Sequence, residues 1–350
     1  MKAAVLTQYG HFEWKVVPDP EIRENQVLIR TEYAGICGSD MHVFHGDFKP
    51  RTKLPLIPGH EFAGIVAETG SAVRKYKKGD RVAVDPILWC GHCAACQIGH
   101  YPACSSLKLI GIDMDGGFGE AVAVPESMLY PVPQGLTPRE AALVEIYSIG
   151  FHACNRARIT GTDTVAIWGA GRVGQSILQA VRTKTRQTVF CIDRLKSRLA
   201  IARQAYPDIV AVNITEHDPV SLIHEQTEGR GVDVAFEAVG HAVEVPDRPN
   251  PVRGCVQCIR GAGTVCVLGL GDAPSPVLMK ELIWKEARIM TSRVSHGEFS
   301  EVITNLDKGT LKPEALITAE FPGCEVQTAF ERIDREPEKY LKILLRLSGS

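Results

Sequence analysis

The chain has 350 residues, of which 45% are hydrophobic and 23% are charged, proportions typical of a folded globular protein. Because this length exceeds what one hydrophobic core usually supports, we expect more than one domain. The formal net charge of −2 argues against nucleic acid or an anionic membrane as a partner. No apolar run approaches the roughly 18 residues of a membrane helix, and no signal-like segment opens the chain, so we expect a cytoplasmic location.

The first part of the chain, to about residue 145, contains short β-branched runs separated by turn residues. These runs are KAAVLT, QVLIRTEYAGI, FAGIVAETG, DRVAVDPIL and GEAVAVP. Segments such as IPGHEFAG and KKGDRV have the composition of the loops that join such strands. The pattern therefore predicts a largely β domain.

Two sets of potential metal ligands fall within this part. One set is Cys37 in GICGSD together with His60 and Glu61 in PGHE. A thiolate, an imidazole and carboxylates are the mixture expected where a metal keeps one position open for water or substrate. The other set is a C-x2-C-x2-C-x7-C run formed by Cys90, Cys93, Cys96 and Cys104. Four thiolates close a tetrahedral shell, as structural zinc sites require, so the two sets together indicate a zinc enzyme.

From about residue 162 the pattern changes to alternating strands and helices. DTVAIWGAG, TVFCID, IVAVN, VDVAFEAVG and GTVCVLGL have the character of buried strands, and helical segments lie between them. Such alternation predicts a parallel, doubly wound sheet. After about residue 290 we expect a tail with two helical stretches, near residues 299–306 and 337–347.

A glycine motif follows the first of these buried strands. Gly169, Gly171 and Gly174 form GxGxxG at the opening of a helix, the context in which this motif binds the pyrophosphate of a dinucleotide. Asp193 ends the next strand, where a carboxylate accepts hydrogen bonds from a ribose 2′-hydroxyl and disfavours a 2′-phosphate. We therefore expect NAD in preference to NADP, a preference that nearby arginines would soften. The predicted cofactor-binding residues are Gly169, Gly171, Arg172, Val173, Gly174, Asp193, Arg194 and Arg198.

Taken together, these motifs resemble the zinc-dependent medium-chain alcohol dehydrogenase family, in particular its polyol, sugar-acid and L-threonine dehydrogenase branch. The resemblance depends on GICGSD, PGHEFAG, the four-cysteine lobe, DGGFGEAVAVP and GAGRVG, which occur in the family's order. It implies an α/β fold with a GroES-like, mostly β catalytic domain at 1–150 and a Rossmann NAD-binding domain at 151–290. A C-terminal segment, 291–350, would return to the catalytic domain, and substrate would bind in the cleft.

The resemblance also implies a role for each residue near the open metal site. Cys37 and His60 match the first two ligands of the catalytic zinc, and Asp40 matches the carboxylate that orients the histidine. Ser39 matches the hydroxyl that bonds to the substrate oxygen, and His42 matches a proton relay that reaches towards solvent.

The third protein ligand of this zinc stays open between two glutamates. Glu61 and Glu145 both match carboxylates that approach the metal in the family. The branch usually places a proline after the second glutamate, whereas here Ile146 and Tyr147 follow. We therefore assign both glutamates to the site.

The implied activity is hydride transfer between NAD and a secondary alcohol, namely a polyol, a sugar acid or a related hydroxy acid, or the corresponding ketone. L-Threonine 3-dehydrogenase-type oxidation is the alternative, and a non-catalytic nucleotide-binding relative is a further one. We expect two zinc ions per subunit and a homodimer or homotetramer. The predicted pocket residues are Phe44, Phe118, Tyr147 and Arg293, the last of which would bind a substrate carboxylate.

Overall fold

The computed structural model describes residues 1–240, 245–271 and 274–349 and divides the chain into two compact units. The first unit combines both ends of the chain, Met1–Glu145 and Ile317–Ser350, with the segment His296–Gly309. The second unit consists of Ile146–Ser295 and Thr310–Leu316. Within the described residues, no helix is long and apolar enough to cross a membrane.

The strands are β1 (Lys2–Gln8), β2 (His11–Val16), β3 (Gln26–Gly35), β4 (Glu61–Thr69), β5 (Arg81–Val84), β6 (Ile87–Leu88), β7 (Lys108–Leu109), β8 (Ala121–Pro125), β9 (Leu129–Pro131), β10 (Val165–Trp168), β11 (Val189–Asp193), β12 (Val210–Asn213), β13 (Val232–Glu237), β14 (Ile259–Val267), β15 (Arg288–Thr291), β16 (Ile317–Pro322) and β17 (Lys342–Arg346). The helices are α1 (Gly38–His45), α2 (Ala94–Gln97), α3 (Pro138–Ala141), α4 (Val144–Ala157), α5 (Arg172–Lys184), α6 (Lys196–Ala205), α7 (Pro219–Gln226), α8 (Pro251–Cys258), α9 (Met279–Lys285), α10 (Phe299–Asp307), α11 (Pro313–Leu316) and α12 (Val326–Arg335).

The first unit is built on a seven-stranded sheet in the order β16-β17-β3-β4-β5-β9, with β8 also paired to β3. Strands β3 and β4 are antiparallel, and the last residue of β3, Gly35, lies opposite the first residue of β4, Glu61. A side chain on Gly35 would meet the Glu61 carboxylate at 2.5 Å, so this pairing needs glycine. The register therefore brings the start of β4 next to the segment that follows β3, where Cys37 lies.

The C-terminal tail differs from its prediction in one of two places. The helix expected near residues 299–306 is confirmed as α10. The prediction of a helix at 337–347 is wrong, because Lys342–Arg346 form β17, which pairs parallel to β16 and antiparallel to β3. Its run of consecutive apolar residues is buried throughout, and a short apolar run of this kind fits a fully buried strand as well as a helix.

The second unit contains a six-stranded sheet in the order β12-β11-β10-β13-β14-β15. All neighbouring strands in it are parallel, and the order reverses at β10, so the predicted doubly wound α/β arrangement is confirmed. Its core contains Trp168 and Phe190 from the strands and Val256 from α8, all almost fully buried. Ligands of such sheets bind outside the carboxyl ends of the strands at this reversal, where the loop after β10 carries the glycine motif.

Candidate functional site

Cys37, His60 and Glu61 come together at one end of the first unit's sheet. The cysteine Sγ, a ring nitrogen of the histidine and a carboxylate oxygen all lie within 4.8 Å of one another. Cys37 is half-buried at the start of α1, whereas His60 and Glu61 are buried where β4 begins. One sulfur, one nitrogen and one oxygen supply three of the four positions of a tetrahedral zinc, which leaves one position open.

The Asp40 carboxylate holds two of these ligands in place. Its Oδ2 accepts a hydrogen bond from the backbone N–H of Cys37 at 2.8 Å, and its Oδ1 lies 3.1 Å from Nδ1 of His60. Although burial alone lowers the pKa of His60, Asp40 and Cys37 raise that pKa well above its usual value. Since Nδ1 is engaged, Nε2 is the nitrogen left for a metal, and metal binding would displace its proton.

The Ser39 hydroxyl lies between the same two ligands. Its Oγ donates a hydrogen bond to Cys37 Sγ at 3.4 Å and lies 3.3 Å from Nε2 of His60. The hydroxyl is thus next to the position where Cys37 Sγ and His60 Nε2 would bind a metal. It can therefore contact a substrate oxygen bound at the open metal position.

Glu61 is held as a buried carboxylate by a lysine that sequence analysis missed. Lys342 Nζ donates hydrogen bonds to Glu61 Oε2 at 2.5 Å and to the Ile36 carbonyl at 3.2 Å. Burial raises the pKa of Glu61, but Lys342 and His60 outweigh burial and lower it, so the group is ionised. The other oxygen, Oε1, is buried and has no hydrogen-bond partner in the described part of the chain. A bound metal would satisfy this oxygen, so the site fits zinc.

Glu145 differs from Glu61 in its protonation state. It is buried at the start of α4, and burial, together with the nearby Glu61 charge, raises its pKa to about 8. It is therefore mostly protonated at neutral pH, and the ligand cluster found among the described residues contains Glu61 and lacks Glu145. Of the two glutamates, this arrangement favours Glu61 as the third protein ligand.

The four cysteines of the lobe form a second cluster. Cys90, Cys93, Cys96 and Cys104 all place their sulfurs within 4.8 Å of one another, and none is in a disulfide. The Cys90 sulfur lies 3.6 Å from that of Cys104 and 4.0 Å from that of Cys96. A tetrahedron with Zn–S bonds of about 2.3 Å has edges of about 3.8 Å, so the spacing suits zinc.

Backbone N–H groups of the lobe point at its sulfurs. Cys104 Sγ accepts hydrogen bonds from the N–H groups of Cys90 and Ser106, and Cys90 Sγ accepts one from that of Cys93. Such donors stabilise thiolates. The N–H groups of Cys90 and Ser106 lower the pKa of Cys104, and those of Cys96 and Ser105 lower the pKa of Cys93, whereas burial raises the pKa of Cys96. Thiolates are the form that binds zinc.

In the second unit the three glycines have distinct geometric roles. Gly169 has a φ of +99°, and a side chain there would meet the Ala238 carbonyl oxygen at 2.8 Å. A Cβ on Gly174 would lie 1.7 Å from the Gly169 carbonyl oxygen, so the helix packs against the turn only with glycine. Gly171 precedes α5, whose first N–H groups receive no side-chain cap. These groups are suited to hold an anionic pyrophosphate.

Asp193 is attached to the same turn. Its Oδ2 accepts a hydrogen bond from the Ala170 N–H at 2.7 Å, and its Oδ1 accepts one from the Leu195 N–H at 2.8 Å. Arg198 lies 3.8 Å from Oδ2, whereas Arg194 is exposed. Asp193 thus places a carboxylate beside the glycine turn, the position that the sequence predicts for a ribose contact. Arg172 and Val173, both half-buried, form the first turn of α5.

Three of the four predicted pocket residues lie in packed interiors. Phe44 and Phe118 are almost fully buried, with ring centroids 5.1 and 6.2 Å from that of Phe330. Tyr147 is fully buried in the second unit, and its hydroxyl donates a hydrogen bond to Gln179 at 3.0 Å. Because their burial leaves no face for a substrate, we assign these three residues to packing. Arg293, after β15, is exposed.

Two partners of the site residues were not predicted. Lys342 belongs to an otherwise apolar run, and a lysine in such a run was the available signal that it has a buried partner. Asp47 lies 2.7 Å from the ring nitrogen Nδ1 of His42. Nothing in the sequence singled it out, because aspartate after Gly46 is ordinary turn composition.

Two segments of the chain match known families. Residues 23–134 match the alcohol dehydrogenase GroES-like domain, and residues 173–308 match the zinc-binding dehydrogenase family. The starvation-sensing protein RspB of Escherichia coli K12 is 32% identical over 333 residues, which cover 95% of this chain and 94% of that protein. The sorbitol dehydrogenase of Bacillus subtilis 168 is 30% identical over 351 residues, with coverage of 99% and 97%.

A solved structure extends this similarity to three dimensions. The crystal structure of RspB from Escherichia coli CFT073, complexed with NADH, matches this chain with a TM-score of 0.90. The two sequences are 30% identical, and the match covers 99% of each chain. The similarity therefore extends over both units.

Proposed function

The chain belongs to the zinc-dependent medium-chain alcohol dehydrogenase family, and we propose that it transfers hydride between a secondary alcohol and NAD. The two matched segments support this family membership, and so do relatives whose sequences align with almost the whole chain. It is an oxidoreductase acting on CH–OH donors, with zinc and NAD(P) as cofactors. In this proposal the first unit is the catalytic domain and the second unit binds the dinucleotide.

One feature carries the proposed chemistry, namely the Ser39 hydroxyl between the two ligand atoms of Cys37 and His60. When bound by Cys37, His60 and Glu61, zinc supplies a Lewis acid that lowers the pKa of an alcohol hydroxyl. Ser39 accepts the alcohol proton as it passes its own hydroxyl proton on towards His42, which is half-exposed and releases a proton to solvent. Asp40 keeps His60 oriented throughout.

We propose NAD as the preferred dinucleotide because of the Asp193 carboxylate. Since its two oxygens also accept backbone hydrogen bonds, Asp193→Asn is a gentler test than removal of the whole side chain. This variant should use NADP better relative to NAD, as judged by kcat/KM with each cofactor. Equal or better use of NADP by the unaltered protein would instead show that Arg194 or Arg198, and not Asp193, determines the cofactor preference.

For the substrate we propose a polyol, a sugar acid or a related hydroxy acid, a choice that the similarity to a sorbitol dehydrogenase supports. Arg293 stays the predicted cation for a substrate carboxylate. The test is NADH formation by the zinc-loaded protein over a panel of polyols, sugar acids and L-threonine. Turnover of L-threonine alone would favour the amino-alcohol alternative. No turnover of any member, with zinc bound, would favour a non-catalytic relative.

We also propose a homodimer or homotetramer. Half of the large apolar side chains that the described chain exposes lie around α9 and β15, among them Met279 at 61%, Ile283 at 69%, Trp284 at 76% and Ile289 at 48% exposure. β15 is an edge strand of the parallel sheet, with hydrogen-bonding groups available for a second copy.

Ile283→Glu should shift the protein to monomer in light scattering coupled to size exclusion. Ile98→Glu, on the cysteine lobe at 81% exposure, is a matched control that should leave the assembly unchanged. A monomeric unaltered protein, or an oligomer that tolerates Ile283→Glu, would contradict this assignment.

A further inference from the structure

The end of α1 folds the chain back onto His42. Gly46 ends the helix with a φ of +84°, and a side chain there would meet the Tyr9 ring at 2.9 Å. The backbone N–H groups of Gly46 and Asp47 both donate hydrogen bonds to the His42 carbonyl, at 3.0 and 2.9 Å. This glycine-ended turn places Asp47 directly beside the His42 side chain.

The side chains of the same two residues also meet. Nδ1 of His42 lies 2.7 Å from Oδ2 of Asp47, and the Phe48 ring packs 5.6 Å from the imidazole ring, measured between centroids. Within the part of the chain that the structure describes, no hydrogen-bond partner is found for Nε2 of His42. One ring nitrogen is thus held by a carboxylate, and the other is directed away from it.

We propose that Asp47 is a positioning residue for the proton relay. By accepting a hydrogen bond from Nδ1, it keeps the neutral imidazole in the tautomer that leaves Nε2 as the acceptor. A proton that leaves the alcohol is taken up at Nε2, and the same nitrogen then releases it to water. The Nδ1 proton stays on the ring, so His42 returns to its starting state. This inference rests on the proposed function, in which His42 serves as the relay.

The loss of the Asp47 carboxylate should have a modest effect on kcat, because His42 and Asp47 are 42% and 54% exposed and solvent screens their interaction. General acid–base groups contribute about 10²- to 10⁴-fold, and a group that only orients one contributes less. We expect Asp47→Asn to lower kcat by roughly threefold to tenfold with little change in KM. Asparagine keeps the backbone hydrogen bond to His42, so the turn should persist.

The same helix supplies a matched control. His45, three residues further on, has its Nε2 3.1 Å from Oδ1 of Asp334, and the two side chains are 43% and 41% exposed. This pair has the same chemistry and a similar exposure, but neither residue belongs to the proposed relay. Asp334→Asn should therefore leave kcat unchanged.

The experiment measures the His42 tautomer by ¹⁵N–¹H NMR of the ring in the substrate-free protein, alongside kcat and KM. Asp47→Asn should convert a single tautomer into a mixture and lower kcat, whereas Asp47→Glu should restore part of both. An unchanged tautomer in Asp47→Asn, or an equal loss of kcat in Asp334→Asn, would overturn the inference.

The His42→Ala variant distinguishes failure of the positioning role of Asp47 from failure of the relay role of His42. If His42→Ala lowers kcat but Asp47→Asn changes nothing, the positioning role alone is wrong. If His42→Ala keeps full turnover, the relay assigned to His42 in the proposed function is wrong, and the positioning role is overturned with it.

Discussion

Lys342 shows how a single buried charge supports the metal site. It is 1% exposed, and its ammonium lies 2.5 Å from Oε2 of Glu61, which is fully buried. Removal of one partner from a buried ion pair leaves the other charge without compensation. Lys342→Met should therefore lower the free energy of unfolding by about 3 kcal/mol or more, as measured by urea unfolding at neutral pH.

Lys339 provides the control for this prediction. Its side chain is 62% exposed, and it pairs with Glu336 in solvent. Lys339→Met should leave the unfolding midpoint unchanged, because exposed pairs contribute little. Equal losses in the two variants, or no loss in Lys342→Met, would show that the buried pair does not stabilise this end of the sheet.

The raised pKa of Asp85 should make the stability of the fold depend on pH. Burial raises its pKa to about 7, against the hydrogen bond donated by the Ile87 N–H and with a further contribution from Glu298. Its pKa in the unfolded chain lies near 3.8, so between about pH 4 and 7 the folded state holds a proton that the unfolded chain has released. The stability that this proton contributes is present at low pH and is lost as the pH rises through 7.

Asp85→Asn should remove this loss, because asparagine is neutral at every pH and can accept the same hydrogen bond. Relative to the unaltered protein, the variant should gain about 2 kcal/mol in the free energy of unfolding between pH 5 and pH 8. Urea unfolding at the two pH values measures the difference. A difference that stays constant with pH would contradict the assignment of a raised pKa to Asp85.

At the scale of elements, the cysteine lobe and the glycine turn were predictable because their parts are close in sequence. The four cysteines fall within one short loop, and the glycines fall between one strand and the next helix. Local spacing therefore determines which atoms meet. The β17 strand was mistaken for a helix because its apolar run carries no periodicity, and only its pairing with β3 and β16 decides the conformation.

The lobe should bind zinc for stability alone, since four thiolates leave no position for a substrate. Cys96→Ser should lose about one zinc per subunit and unfold at a lower urea concentration. Cys324→Ser, an exposed cysteine outside the described ligand clusters, serves as the control. Full zinc content and unchanged stability in Cys96→Ser would refute the structural role of the lobe.

For the whole molecule, the family motifs predicted both folds and the ligand pair of Cys37 and His60. They did not predict the contact of Glu61 with Lys342, because the two residues are 281 positions apart and only the sheet register brings them together. The pocket predictions for Phe44 and Phe118 had a related weakness. Sequence cannot distinguish an aromatic residue that lines a cavity from one that fills a core, and here both fill the core.

The central claim is that Cys37 and its neighbours hold a zinc that catalyses hydride transfer, while the dinucleotide binds in the other unit. The most direct test compares NADH formation with NADH binding, followed by fluorescence, in Cys37→Ala and in the control Cys324→Ala. In Cys37→Ala we expect turnover to fall by roughly 10³-fold or more, because a Lewis acid is worth several kcal/mol, while NADH affinity stays nearly unchanged. Unchanged turnover in Cys37→Ala would contradict the zinc mechanism and indicate a zinc-free reductase.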